Sequence, residues 1–117
     1  MYGLPKDVDL GFLQNKELIQ VCIGQYDAIL NFVDASISIE STIVFQAGNG
    51  EPIAYSSYIE AAGKLAGLLG QTIVKVAVEP PGTLILTFSA GAVLSIRDDS
   101  TQYESYSIVD ASGTIIV

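Results

Sequence analysis

Apolar and polar residues alternate along most of this chain with the period of two that marks half-buried strands. Such runs cover 18–23, 26–33, 36–40 and 42–46, then 72–78, 83–88 and 93–97, with a last strand region over 103–109 and 114–117. Gly24-Gln25, Asp34-Ala35, Gly48-Asn49-Gly50, Pro80-Pro81-Gly82 and Ala90-Gly91 interrupt them, each a group that favours a turn. The period changes once, between the two sets. Residues 57–69 carry Ile59, Ala62, Ala66 and Leu69 on one helical stripe, joined by Leu65. Ser57 with Glu60 three residues on has the form of a capping box, and Gly70 supplies the left-handed residue that ends a helix. The stripe is expected to face the core.

The two strand sets resemble each other residue by residue. Ile19-Gln20-Val21-Cys22-Ile23 matches Val74-Lys75-Val76-Ala77-Val78, Ala28–Phe32 matches 84–88, and Ile37-Ser38-Ile39 matches Leu94-Ser95-Ile96. The offset is 55 at Ile19/Val74, 56 at Ala28/Leu84 and 57 at Ile37/Leu94, as it is when strands correspond and each hairpin loop differs by one residue. Repeat copies therefore span about 19–41 and 74–98. Alternation puts Ile19, Val21, Ile23, Leu30, Phe32, Ile37 and Ile39 on one face, and their counterparts are apolar too. That face is the expected core.

The expected fold is α+β: two antiparallel β-meander repeats, about seven to eight strands, with one inserted helix in a single domain over 1–117. A helix of this length is about 20 Å long and covers about four strands at ~4.8 Å spacing. The rest of the core face must be closed by a curled sheet, a sandwich or an open barrel, or by a second subunit.

Composition narrows the function classes. Thirteen acidic groups against five basic ones give a net charge of −8, and the lysines and the arginine are scattered, so nucleic acid is not an expected partner. No apolar run approaches the ~20 residues that span a bilayer. A lone Cys22 and no charged leader ahead of an apolar run point to a cytoplasmic bacterial protein. There is no histidine, which removes the commonest general base and metal ligand together with every Ser-His or Cys-His nucleophile. No cofactor motif is present either: Gly48-Asn49-Gly50 runs into Glu51-Pro52 rather than into a lysine and a helix start.

The expected function is therefore a non-catalytic protein-protein interaction module, without cofactor or metal. Asp98 and Asp99, with Glu104 and Asp110 nearby, form the densest acidic group, and hard cations prefer such oxygens. A divalent-metal-dependent enzyme using this loop is thus the alternative. The candidate interaction surface comprises Ile29 and Ile85, apolar on an otherwise polar face, Tyr103 and Tyr106, since tyrosine is enriched at interfaces, and the Asp98-Asp99 loop. A thin polar covering, 15% charged, and the recurrence of Ile29 as Ile85 lead to an expected homodimer, with the apolar segment ending in Val117 as a second surface for it.

Leu18-Ile19-Gln20-Val21-Cys22-Ile23-Gly24-Gln25-Tyr26, followed by Phe32 and by Ser36-Ile37-Ser38-Ile39-Glu40, resembles a family of small bacterial proteins of unknown function. The resemblance covers the first forty residues or so and implies no catalytic residue. In size and acidity such families look similar to small immunity proteins of toxin systems, which implies an acidic inhibitor.

Overall fold

The computed structural model describes residues 3–4, 9–100, 104–111 and 113–117. Among these the protein is mostly antiparallel β, with ten strands in two five-stranded sheets and one α-helix, and the sheets do not join into a closed barrel. One sheet has the order β1-β2-β3-β9-β10, from β1 (Leu18–Ile23), β2 (Ala28–Phe32), β3 (Ala35–Ile39), β9 (Tyr106–Asp110) and β10 (Gly113–Ile116). The other has the order β5-β4-β8-β7-β6, from β4 (Ile43–Gln46), β5 (Ile53–Tyr55), β6 (Ile73–Glu79), β7 (Thr83–Phe88) and β8 (Val93–Ile96). The strand count thus exceeds the seven to eight expected. The last strand region forms two strands, β9 and β10, and β5, a three-residue strand directly after Pro52, was unforeseen because it is too short for a period to register.

Each three-strand meander is completed by two strands from far along the chain. β9 pairs with β3 through Ile37/Ile108 and Ile39/Tyr106, and β4 pairs with β8 through Leu94/Phe45 and Ile96/Ile43. The inward residues form one buried cluster. Phe32 and Phe88 meet inside it with ring centroids 6.5 Å apart and planes 18° from parallel.

The inward assignment needs correction along the two strands that open the meanders. Pairing shifts register between Leu18 and Gln20 in β1 and between Ile73 and Lys75 in β6. A bulge inserts one residue and reverses the alternation locally, so Leu18 and Ile73 point inward while Ile19, 56% exposed, and Val74 point out. Beyond the bulges Val21 and Val76 pack against the core, but Ile23 and Val78 reach the exposed ends of their strands.

Between β5 and β6 lies α1 (Tyr58–Ala66), shorter than the expected 57–69. The Ser57 hydroxyl accepts the Glu60 N–H at 3.4 Å, the forward half of the expected box, and Gly70 has φ +83°. The stripe, however, is one residue out of phase. Tyr58, Ala61, Leu65 and Leu68 are buried, whereas Ile59 is 63% exposed and Leu69 also faces out. Both stripes are apolar, so amphipathicity could not choose between them; the Tyr58 hydroxyl, donating to the Ser41 carbonyl inside the protein, selects the inner one.

Candidate functional site

One regular surface is the outer face of the five-stranded β1-β2-β3-β9-β10 sheet. Alternation turns Leu30, Phe32, Ile37, Ile39, Tyr106 and Ile108 inward, and so sends their neighbours outward. Cross-strand register lines these up in two rows of five: Cys22, Ile29, Ser38, Ser107 and Ile116, then Gln20, Asn31, Ser36, Val109 and Thr114. At ~4.8 Å per strand each row runs about 20 Å. None of the ten is charged, although the chain carries −8. Asn31 Nδ2 donates to Gln20 Oε1 at 2.9 Å, so even this amide is largely satisfied within the face. Val109 and Ile116 are exposed.

Carboxylates stand at both ends of the strands. Asp27 and Glu40 flank the Ala28/Ile39 pair, and Asp34 lies in the turn beside Ala35, whose ladder partner is Asp110. Asp34 takes φ +64°, a left-handed conformation that Asp tolerates better than most residues in a two-residue turn.

The outer face of the other sheet is different. One row there reads Ala77, Ile85, Ser95, Val44 and Ala54, and the next contains Lys75, Thr87, Val93 and Gln46, so that a charge sits on the ladder itself. Two clefts beside Asp9, of about 290 and 180 Å³, fall below the ~300–1,000 Å³ usual for small-molecule sites.

The residues expected to form one surface are dispersed by the fold. Ile29 and Ile85 are half-buried in the central outer rows of two different sheets. Tyr106 is no surface residue: it is 0% exposed and donates its hydroxyl to the Gly82 carbonyl at 2.6 Å. It faces inward because the bond pattern of β9 places it opposite Ile39. Tyr103 lies outside the described residues. Val117 is buried, its N–H bonded to the Tyr106 carbonyl at 2.9 Å, so its truncation would remove core rather than test an interface. Val109 escaped the sequence reading, although the alternation Ser107/Val109 carries the same signal as Ser36/Ser38, whereas Ile116 belongs to the apolar C-terminal segment already expected to be a surface.

Asp98 and Asp99 hold the fold together at the end of β8. Asp98 accepts the Ser105 hydroxyl at 2.8 Å and the Gly3 N–H at 2.9 Å, while Asp99 accepts the Thr42 N–H at 3.1 Å. Burial alone would raise the Asp98 carboxyl, but hydrogen bonds to the carboxylate, those from Ser105 and Gly3 among them, outweigh it and hold the group below its ordinary 3.8. Among the described residues no three His, Cys, Asp or Glu side chains converge as metal ligands. A folded-state pKa lowered in this way contributes stability above the ordinary carboxylate value and loses it as pH falls through the lowered one. Ser105→Ala, at a fully buried position, is therefore expected to cost about 1–3 kcal/mol at neutral pH. Urea titrations should show that difference shrinking once Asp98 protonates; an equal difference from pH 7 to pH 2 would refute the charge-assisted bond.

The model of one protein family, described as a family of unknown function, DUF6188, matches residues 13–117. The chain belongs to that family. The match takes in both meanders and runs far beyond the forty residues on which the resemblance rested. No curated protein and no solved structure matches the chain. Among the described residues no helix is long and apolar enough to cross a membrane.

Proposed function

We propose that this member of the family is a non-catalytic interaction module that docks a basic protein partner on the outer face of the β1-β2-β3-β9-β10 sheet, in the manner of an acidic immunity-type inhibitor. The observation that carries the reading is ten outward residues without a charge, bordered by Asp27, Glu40, Asp34 and Asp110. An uncharged centre is cheap to desolvate, and a charged rim steers an oppositely charged partner and sets its orientation. A half-buried free thiol at Cys22 fits the cytoplasm.

The rival, a divalent-metal enzyme at Asp98 and Asp99, must use carboxylates that already accept backbone and hydroxyl hydrogens. Capture from host lysate separates the two readings. Wild type should retain a basic protein, with retention falling as salt rises, whereas Ser38→Lys with Ser107→Lys, opposite each other at the centre, should lose it without a change in melting temperature. If the double variant retains the same protein as well as wild type does, docking on this face is wrong. A rise in melting temperature with millimolar calcium or magnesium would favour the enzyme, since a ligand of the folded form alone must stabilise it.

The same proposal includes the origin of the face. We infer a duplicated five-strand unit, β1–β5 and β6–β10, folded as a sandwich in which each copy gives its last two strands to the other's sheet. Bulges at the matching positions Ile19 and Val74 support it, as does the parallel between Glu40 N–H to Ser105 carbonyl and Arg97 N–H to Thr42 carbonyl.

A further inference from the structure

β6 is an edge strand, and part of its backbone has no partner. In β7 the Phe88 N–H and C=O bond to Ala92 and Gly91, toward β8, so alternation turns those of Thr87, Ile85 and Thr83 toward β6. Their ladder partners there are Lys75, Ala77 and Glu79. The N–H and C=O groups of Val76 and Val78 therefore point out of the sheet, and among the described residues nothing bonds to them. The N-terminal arm meets this edge on either side of them: Gln14 Nε2 donates to the Val74 carbonyl at 3.2 Å, and the Leu4 N–H to the Pro81 carbonyl at 3.1 Å. Between these two points the cleft of about 290 Å³ lies beside Val76, Ala77 and Val78. A row of unpaired groups in such an opening is a template for a further strand.

We propose that β6 pairs with β6 of a second copy of the chain, antiparallel across a twofold axis at Ala77. The charges of the strand name both the occupant and the register. Of the strands that end a sheet, β1, β5, β6 and β10, only β6 carries charge, and it carries Lys75 and Glu79 at equal distances from Ala77. With Ala77 opposite Ala77, Lys75 of each copy stands across from Glu79 of the other on the outer face, and no other antiparallel register of the strand with itself brings them opposite. Both side chains are exposed, and among the described residues neither has a partner of opposite charge. The hydrogen-bond phase selects the same axis. Ala77 turns its own N–H and C=O to β7, so the axis passes through a non-hydrogen-bonded pair, where Cα atoms lie ~4.5 Å apart and a methyl group on each side fits. Val76 then exchanges both bonds with Val78 of the other copy, and their side chains meet on the inner side, covering Val78, which is 40% exposed. Two molecules of charge −8 repel, and opposite charges across the seam offset this where they meet. The contact is short, well under the ~800 Å² per partner of a standard interface, which makes the dimer weak. The proposal goes beyond the docking reading and uses a sheet edge rather than the outer face, so either can fail alone.

Sedimentation equilibrium of the full chain from about 10 µM to 1 mM tests it, a range set by the small contact. The wild-type mass should rise from 12.4 kDa toward twice that value. Lys75→Glu and Glu79→Lys should each abolish the rise, although the first takes the net charge from −8 to −10 and the second to −6. The double reversal should restore it. In wild type, exchange of the Val76 and Val78 amide hydrogens should slow several-fold as the mass rises, since the second copy supplies the acceptors they lack. A constant 12.4 kDa in wild type, single reversals that associate as wild type does, a double reversal that stays monomeric, or association that leaves those two amides exchanging as in the monomer would each overturn the pairing.

Discussion

Between about pH 10 and pH 11.5 the protein is expected to lose about 3 kcal/mol of stability through two tyrosines alone. Burial raises the hydroxyls of both Tyr58 and Tyr106 well above their ordinary 10.0; the charges of Glu40, Asp27 and Asp99 add to the effect at Tyr58, and that of Asp98 at Tyr106. In the unfolded chain these phenols titrate near 10, so above that pH unfolding releases protons which the folded protein keeps. The contribution is fully present below the unfolded value and is lost as pH rises toward the folded ones, at about 1.4 kcal/mol per pH unit for each residue. Since a domain of this kind is stable by about 5–15 kcal/mol, the transition should be evident in urea midpoints. Tyr58→Phe with Tyr106→Phe should be less stable at pH 7, because the Ser41 and Gly82 carbonyls lose their donors, yet should decline less steeply above pH 10. Equal alkaline slopes in wild type and double variant would show that these two phenols are not responsible.

Phe88→Ala should cost about 3–5 kcal/mol, a large part of that total, and Phe32→Ala about as much. Both rings are buried and stack on each other between the two sheets, so truncating either leaves a cavity that strands held by ladder bonds cannot collapse to fill. Leu18 opposite Phe32 and Ile73 opposite Phe88 hold the rings at the two bulges. Because the rings are each other's partner, the double variant should lose about 0.5–1.5 kcal/mol less than the two single losses combined. Denaturant titration of the four proteins measures this coupling, and strict additivity would mean that the rings do not act on each other.

Much of this architecture was legible in local chemistry. The Ser36-Ile37-Ser38-Ile39 alternation specified a strand and its buried side, and Ala90-Gly91 specified a turn where Gly91 adopts φ +99°. The uncharged outer face of the β1-β2-β3-β9-β10 sheet was legible only in part, because Ser38 and Ile29 could be placed on a polar side while Ser107 and Ile116, over a hundred ångströms of chain further on when extended, could not be known to continue it.

What the sequence determined by itself is whatever depends on a residue and its near neighbours: strand period, turn chemistry, the Ser57 cap, net charge and the lack of histidine. Tertiary structure decided three further things. Alternation names a strand's face but never its partner, so the pairings β3 with β9 and β4 with β8 follow only from how the two meanders meet. A bulge is a mismatch between two strands, so it cannot be read in either one; it turned Ile19 and Val74 outward. A helix with two apolar stripes has no phase of its own. Burial of Tyr58 against Ser41 set it here, and thereby left Ile59 and Gly63 facing water.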